Sequence, residues 1–136
     1  MPVTVDRLAP QIYHVRYEDN IGADEISSGM RQIYNLATKH NEYEGGHYVV
    51  IYHNHEVRFQ INFNFQQVRG TLKNVPEIKP DDSIFVNFPP AMRIVVNTMH
   101  RVISRGGDLY FVDNLAQALD KAHELLRLRD TKDSKS

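Results

Sequence analysis

The side chains best suited to chemistry lie around residue 53, where the sequence reads His53-Asn54-His55-Glu56. On an extended backbone alternate side chains share a face, so His53 and His55 would point the same way. Two imidazoles placed like this could ligate zinc or another divalent metal, with Glu56 or His100 as a third ligand. The same histidines could instead act as a general base, or lie in a solvated turn that contacts a partner. The spacing alone leaves these alternatives open.

No other stretch carries a clear catalytic motif. No serine stands in a Gly-x-Ser-x-Gly elbow, and the glycine pair at 106–107 lacks the Gly and Lys/Ser spacing of a phosphate-binding loop. Asp81 and Asp82 are consecutive, so they are better explained as part of a solvated loop than as a catalytic pair. Asp113 ends a predicted strand, where α/β folds bind ligands, but it is better suited to capping the next helix. The sequence therefore favours a protein that is not an enzyme, and it predicts no cofactor.

Composition narrows the class of partner. The 136 residues have a formal net charge of −1, with 41% hydrophobic and 24% charged residues, which is ordinary for a soluble globular protein. The sequence has no excess of basic residues that would indicate binding to nucleic acid or to an anionic membrane. No apolar run approaches the length of about 20 residues that is needed to span a bilayer. Cysteine is absent, which excludes disulfides and fits a reducing compartment. We therefore expect a cytoplasmic protein that binds neither nucleic acid nor membrane.

Hydrophobic periodicity in the first half predicts strands and one helix. Residues 3–5 and Ile12–Tyr17 fit two strands joined by a turn at residues 9–10. Ala23–Lys39 fits a helix, because its apolar residues recur at helical spacing and its charges match the helix dipole. Residues 48–52 form a continuous run of β-branched and aromatic residues, which is typical of a central strand covered on both faces.

The second half reads as strand, helix, strand, helix with very short connections, the order typical of an α/β sheet. The strands are residues 84–88 and 109–112. The helix between them opens at Pro90, ends at the glycine pair, and carries one apolar face. The final helix is capped by Asn114, with Gln117 three residues on as a weak capping box. The helix that opens at Pro90 has its apolar face formed by Met92, Val95, Val96, Met99, Val102 and Ile103.

Residues 57–73 are ambiguous. Residues 57–63 alternate apolar and polar side chains and fit either a strand or a loop. Residues 65–73 fit a short helix, which would let the strands at 48–52 and 84–88 pair in parallel. Aromatic residues at 59, 63 and 65 could line a ligand pocket, although core packing explains them more simply.

Together these elements predict a single α/β domain over residues 1–128. It would contain a mixed sheet of about five strands with three to four helices, mostly on one side. Residues 129–136 are polar and lack periodicity, so we expect them to form a disordered tail.

The pattern over residues 84–126 resembles the STAS domain, the small α/β fold of anti-sigma-factor antagonists. In that family a core strand leads into a Pro-Ala helix start, here Phe88-Pro-Pro-Ala-Met-Arg93, and the closing helix carries an Ala-Leu pair, here Ala118 and Leu119. The upstream order of two strands, helix and central strand is also similar. The resemblance implies a non-enzymatic regulatory module that binds a protein partner.

The resemblance also implies a serine that is phosphorylated in the loop after the central strand. Here the corresponding residues, 53–64, include no Ser or Thr. Because phosphorylation of this kind needs a hydroxyl, the sequence predicts a divergent STAS-like protein without the family's usual switch.

The predicted partner surface lies where the loops after two adjacent parallel strands meet, because carboxyl ends of parallel strands share one edge of a sheet. Self-association into a homodimer through apolar surface near Phe88 is a further expectation. The candidate partner-binding residues are Asn54, Glu56, Arg58, Phe88, Pro89, Pro90 and Arg93.

Two alternative functions remain open from the sequence. One is a small metal-dependent or histidine-based enzyme that uses His53, His55 and Glu56. The other is a domain that binds a nucleotide or another small ligand at the same edge of the sheet.

Overall fold

The computed structural model describes residues 3–17, 23–43, 48–54, 82–88, 90, 93, 94, 97 and 108–134. Five strands and two bounded helices lie in this part of the chain. In chain order they are β1 (Val3–Ala9), β2 (Ile12–Tyr17), α1 (Ala23–Lys39), β3 (Val49–Asn54), β4 (Asp82–Val86), β5 (Asp108–Val112) and α2 (Leu115–Ser134).

The strands form one mixed sheet in the order β1-β2-β3-β4-β5. β1 and β2 are antiparallel, whereas β2, β3, β4 and β5 run parallel to one another. In the β3–β4 ladder Ile51 lies opposite Ile84. This confirms both the predicted mixed five-stranded α/β sheet and the parallel pairing on which the shared edge depends.

A tight turn at Pro10 and Gln11 joins β1 to β2. Gln11 has a φ of 67°, in the left-handed region, and the register of the hairpin shifts between Arg7 and Ala9. The Gln11 carbonyl accepts a hydrogen bond of 2.8 Å from the backbone N–H of Val49. The turn therefore also fixes where β3 begins beside β2.

Helix α1 packs on one face of the sheet, over β1 to β3. Its Ile33 and Ala37 are fully buried and pack with Val5, Val15 and Val50 from the three strands. Side chains alternate between the faces of a strand, so one set of alternate residues from each strand meets the helix. The observed bounds of α1 match those predicted from its apolar spacing.

Gly29 lies on the buried side of α1. A β-carbon built on it would meet Tyr17, Val15 and Val3 at 3.5, 3.5 and 3.6 Å, which is ordinary van der Waals contact. Alanine loses less backbone entropy than glycine in a helix, so we expect Gly29→Ala to raise the free energy of unfolding by about 0.5–1 kcal/mol. Urea denaturation measures this change, and a lower midpoint would show that the helix–sheet contact cannot accept a methyl group.

Helix α2 packs on the opposite face, over β3 to β5. Ala118, Ala122 and Leu125 pack with Ile51 and Ile84. The two bounded helices thus lie on opposite faces of the sheet. The physical reason is that β3 and β4 carry apolar side chains on both faces, so each face needs a cover.

The amino end of α2 is capped as predicted. The backbone N–H of Gln117 donates to Asn114 Oδ1 at 2.9 Å, and Gln117 Oε1 accepts from the N–H of Asp113 at 2.8 Å. The carboxyl end differs from expectation, because α2 continues to Ser134 where a disordered tail was predicted from residue 129. Extending an existing helix gains one hydrogen bond for each residue that is fixed. The assignment of residues 1–128 as one domain stays a prediction.

Helical backbone is also present at Pro90, Arg93, Ile94 and Asn97, in agreement with a helix that opens at Pro90. The segments predicted at 57–63 and 65–73 lie outside the described residues. Neither bounded helix combines the length and the apolar character that crossing a membrane requires.

Candidate functional site

The carboxyl ends of β3 and β4 lie side by side, because these strands are parallel neighbours. β3 ends at Asn54 and β4 at Val86, after which the chain continues into Asn87 and Phe88. Arg93 contacts Phe88 from the next segment. We call the described residues at and next to this edge the rim: Asn54, Asn87, Phe88, Pro90, Arg93 and Ile94.

Two asparagines join the strand ends at the rim. Asn54 Nδ2 donates to the Asn87 carbonyl at 3.4 Å, and Asn87 Nδ2 donates to the Asn54 carbonyl at 3.2 Å. The backbone N–H of Asn87 also donates to the carbonyl of Val112 at 3.1 Å, which brings in the end of β5. Asn87 has a φ of 61°, a conformation that asparagine tolerates better than most residues. These reciprocal hydrogen bonds from the two side-chain amides therefore set the shape of the rim.

Arg93 contributes a positive charge whose position is defined by two contacts. Its Nε donates to the carbonyl of Phe88 at 3.2 Å, and its guanidinium carbon lies 5.2 Å from the centre of the Phe111 ring. The second contact has the geometry of a cation–π interaction. Ile94, the next residue, is 70% exposed. The rim thus presents a held cation beside an exposed aliphatic side chain.

A row of aromatic rings crosses β3, β4 and β5 two residues or fewer before the strand ends. Tyr52 stacks on Phe85 with ring centres 4.9 Å apart, and Phe85 stacks on Phe111 at 5.4 Å. Phe88 meets Phe85 edge-on at 5.2 Å. Burial, with smaller contributions from neighbouring tyrosines, raises the pKa of the Tyr52 phenol. The row gives the rim a rigid apolar support, and its tyrosine stays neutral at physiological pH.

The predicted partner-binding residues divide into three groups. Pro90 is exposed and Arg93 half-buried, so both are accessible at the rim. Asn54 is only 4% exposed, because its side chain is hydrogen-bonded to Asn87. Phe88 is only 5% exposed, because it packs in the aromatic row. The remaining predicted residues, which lie outside the described part of the chain, are Glu56, Arg58 and Pro89.

Asn87 and Ile94 are rim residues that the sequence reasoning missed. Asn87 could have been found from its place directly after an apolar strand, since asparagine is enriched in left-handed conformations. Ile94 could have been found because it is the large apolar residue of its helical segment that falls outside the predicted buried stripe. An apolar residue off the stripe of an amphipathic helix faces away from the core.

The histidines are arranged differently from the metal hypothesis. His53 contacts His14 of β2, with His14 Nε2 and His53 Nδ1 3.1 Å apart and the rings inclined at 41°. His55 lies outside the described residues. Within the described residues, no three His, Cys, Asp or Glu side chains lie close enough together to supply three ligands to one metal ion.

A polar cluster lies at the other end of the sheet from the rim. Arg7 Nε and Nη2 donate to the two Glu42 carboxylate oxygens at 3.0 Å each, and the Gln11 N–H donates at 2.8 Å. The Tyr13 hydroxyl donates to the same carboxylate. We call these four residues the Glu42 cluster. The Glu42 carboxylate thus accepts four hydrogen bonds, two from Arg7 and one each from Gln11 and Tyr13, which occupy its main acceptor positions. The cluster therefore acts as a structural link and not as a free base.

The charges of the Glu42 cluster follow from these bonds. Burial raises the pKa of Glu42, but the hydrogen bonds from Arg7, Tyr13 and Gln11 outweigh it and leave the pKa below its usual value. Burial and the bond to Glu42 raise the pKa of the Tyr13 phenol. At neutral pH the cluster therefore holds an ionised carboxylate and a neutral tyrosine.

Chemically, the described part of the rim suits recognition better than bond breaking. Arginine and large apolar or aromatic side chains are the residues that dominate protein interfaces. Among the rim residues there is no nucleophile beside a base, since these residues carry amides, a guanidinium and apolar groups.

No protein-family model matches the sequence, and no curated protein matches it. Among solved structures, one similar fold is the anti-sigma factor antagonist SpoIIAA in its unphosphorylated form, with a TM-score of 0.51, 12% sequence identity and coverage of 89% of this chain and 97% of that chain. Another is the phosphorylated form of SpoIIAA, a Bacillus cell fate determinant, with a TM-score of 0.47, 13% identity and coverage of 88% and 97%. The chain therefore has a STAS-like fold, as the pattern over residues 84–126 predicts.

Proposed function

We propose that this protein is a STAS-like regulatory module that binds a protein partner at the rim. The supporting observation is the parallel β3–β4 pairing, which puts Asn54, Asn87 and Arg93 at one edge of the sheet. SpoIIAA, a protein of similar fold, is an anti-sigma factor antagonist. By analogy of fold, we propose that this chain acts by capturing another protein and not by catalysis.

Arg93 and Ile94 are the proposed centre of the binding surface. Arg93 is already held by the Phe88 carbonyl and the Phe111 ring, so it loses less side-chain freedom on binding than a mobile arginine would. Ile94 offers apolar area that a partner can bury. The complementary partner surface would carry a carboxylate next to an apolar pocket.

We further propose that phosphorylation of the loop after β3 does not control this binding. Residues 53–64 have no Ser or Thr to carry a phosphate. Any control of binding would then depend on another residue or on the partner itself. The partner-binding roles of Glu56, Arg58 and Pro89 stay part of this proposal and are tested in the same way as Arg93.

We expect Ile94→Asp to weaken partner binding at least about tenfold, because it places a carboxylate where the partner buries apolar surface. Arg93→Ala should weaken binding as well, by removing the held charge. Ile94→Asp should not lower the melting temperature by more than a few degrees, since Ile94 is exposed. The measurement is cross-linked affinity capture, followed by titration of the purified partner.

Leu128→Asp is the matched control for Ile94→Asp. Leu128 is 55% exposed on α2, away from the rim, and the substitution introduces the same charge. A partner that binds the wild type and Leu128→Asp equally but rejects Ile94→Asp supports the proposal. If Ile94→Asp and Leu128→Asp bound the partner with equal affinity, the rim would not be the partner-binding surface.

Self-association and a cytoplasmic location belong to the same proposal. A homodimer through the rim would compete with the partner, so light scattering on wild type and Ile94→Asp separates the two uses of this surface. A dimer that persists in Ile94→Asp would place the homodimer interface elsewhere.

A further inference from the structure

His14 and His53 form a pair that the proposed function does not use. His14 belongs to β2 and His53 to β3, and these strands are parallel neighbours with Arg16 opposite His53. His14 is 6% exposed and His53 half-buried, so solvent reaches the pair from the His53 side. The facing ring nitrogens, His14 Nε2 and His53 Nδ1, are 3.1 Å apart.

We propose that these two imidazoles bind a divalent transition metal, with Zn²⁺ as the reference ion. Zinc–nitrogen bonds of about 2.0–2.1 Å at tetrahedral angles place two ligand nitrogens about 3.3–3.4 Å apart. The observed 3.1 Å separation is close to that spacing, so the ion requires the rings to move slightly apart and to turn until both nitrogen lone pairs point at it. Hydrogen-bonded neighbouring strands hold both histidines, which lowers the cost of assembling the site.

Binding requires a change of tautomer but no net loss of a proton from neutral rings. In the metal-free pair one facing nitrogen donates a hydrogen to the other. In the metal-bound pair both facing nitrogens give lone pairs to the ion, so His14 carries its hydrogen on Nδ1 and His53 on Nε2.

The charged neighbours act in opposite directions. Arg16, opposite His53, disfavours a cation through its positive charge, whereas Asp6, opposite His14 in the β1–β2 ladder, favours one. Two histidines complete only half of a tetrahedral shell, so water fills the remaining positions. This predicts a site of moderate affinity that binds metal reversibly.

The position of the pair suggests what the metal would do. His53 directly precedes Asn54, whose amide sets the shape of the rim. A metal bridging β2 and β3 at this point would tie the base of the rim to the rest of the sheet. The proposed role is therefore to stabilise the rim, and it involves neither His55 nor catalysis.

Thermal unfolding with and without Zn²⁺ tests the site, together with equilibrium dialysis to count bound metal. We expect about one zinc per chain and a melting temperature raised by a few degrees at saturating metal. His53→Gln should abolish both effects. His123→Gln, which changes an exposed histidine on α2, should leave both unchanged.

His14→Gln identifies the second ligand. Loss of zinc binding in His14→Gln with a circular dichroism spectrum like that of the wild type supports the pair. Zinc binding that survives in His14→Gln but not in His53→Gln would overturn it, because His53 would then use another ligand. Absence of bound zinc in the wild type, or equal binding by His53→Gln, would also overturn it.

Discussion

Glu42→Ala is expected to lower the free energy of unfolding by about 1.5–3 kcal/mol, the usual loss when a charged hydrogen-bond acceptor is removed from partly buried donors. Three residues lose their acceptor in this variant: Arg7, Gln11 and Tyr13. The most costly loss is expected at Tyr13, whose side chain is fully buried in the wild type. Chemical denaturation of both proteins gives the difference.

Tyr13→Phe in the Glu42→Ala background separates the causes of this loss. Removing the hydroxyl also removes the buried donor that lacks an acceptor, so the double variant should be more stable than Glu42→Ala alone. Tyr13→Phe could instead destabilise Glu42→Ala by as much as it destabilises the wild type. That result would show that Tyr13 and Glu42 are not coupled.

The same cluster predicts a loss of stability in acid. The pKa of Glu42 is lowered in the folded protein, despite the opposing effect of burial, by the hydrogen bonds that it accepts. An unfolded glutamate has a pKa of about 4.3. The contribution of the charged form to stability is therefore complete above about pH 4.3 and disappears as the pH falls through the lower pKa of the folded state.

Glu42→Gln is the control for this pH dependence, since it keeps the size and one acceptor oxygen but cannot ionise. The stability difference between wild type and Glu42→Gln should be constant near neutral pH and should shrink as the pH falls below about 4. A difference that stays constant down to pH 2 would show that the carboxylate does not gain its stabilisation from ionisation.

The sheet and its order could be predicted from the sequence because each strand and helix carries its own periodicity. Ala23–Lys39 was bounded correctly because an apolar stripe and terminal charges mark both of its ends. The parallel pairing of β3 with β4 followed from their continuous apolar runs, which need a cover on both faces. These signals are local, and so they survive in a single sequence.

The polar contacts could not be predicted in the same way. Glu42 joins residues that lie 29 to 35 positions earlier in the chain, and nothing in its local sequence identifies them. Asn54 was expected to face a partner, yet its amide is used inside the rim. His53 was paired with His55 by spacing, whereas the fold brings it to His14. Each of these contacts depends on which strands become neighbours.

Composition alone does not determine where α2 ends. Residues 129–134 are polar and have no apolar stripe, which is typical of a tail. The helix nevertheless continues, because Leu125 and Leu126 anchor the preceding turns in the core and propagation from an anchored turn is favourable. Capping and propagation, which periodicity does not measure, decide where such a helix ends.

Ile84→Ala is expected to have the largest effect of the substitutions considered, a loss of about 2–5 kcal/mol in the free energy of unfolding. Ile84 is fully buried in the central part of the sheet, where α2 covers β3 and β4. The deleted atoms leave a cavity that neighbouring strands fill only in part, since strand backbones are fixed by their ladders. Urea denaturation measures the loss, which is a large fraction of the about 5–15 kcal/mol that stabilises a typical domain.

A double-mutant cycle then tests the strand pairing on which the rim depends. Ile51 and Ile84 lie opposite each other in the β3–β4 ladder, so Ile51→Val and Ile84→Val should be non-additive by about 0.5 kcal/mol or more. Ile33 is the matched control, because it is equally buried but packs on the opposite face of the sheet. Ile33→Val and Ile84→Val should therefore add within about 0.3–0.5 kcal/mol. If the first pair also proved additive, β3 and β4 would not be in contact at this register, and the single edge that unites Asn54 with Asn87 and Arg93 would be lost.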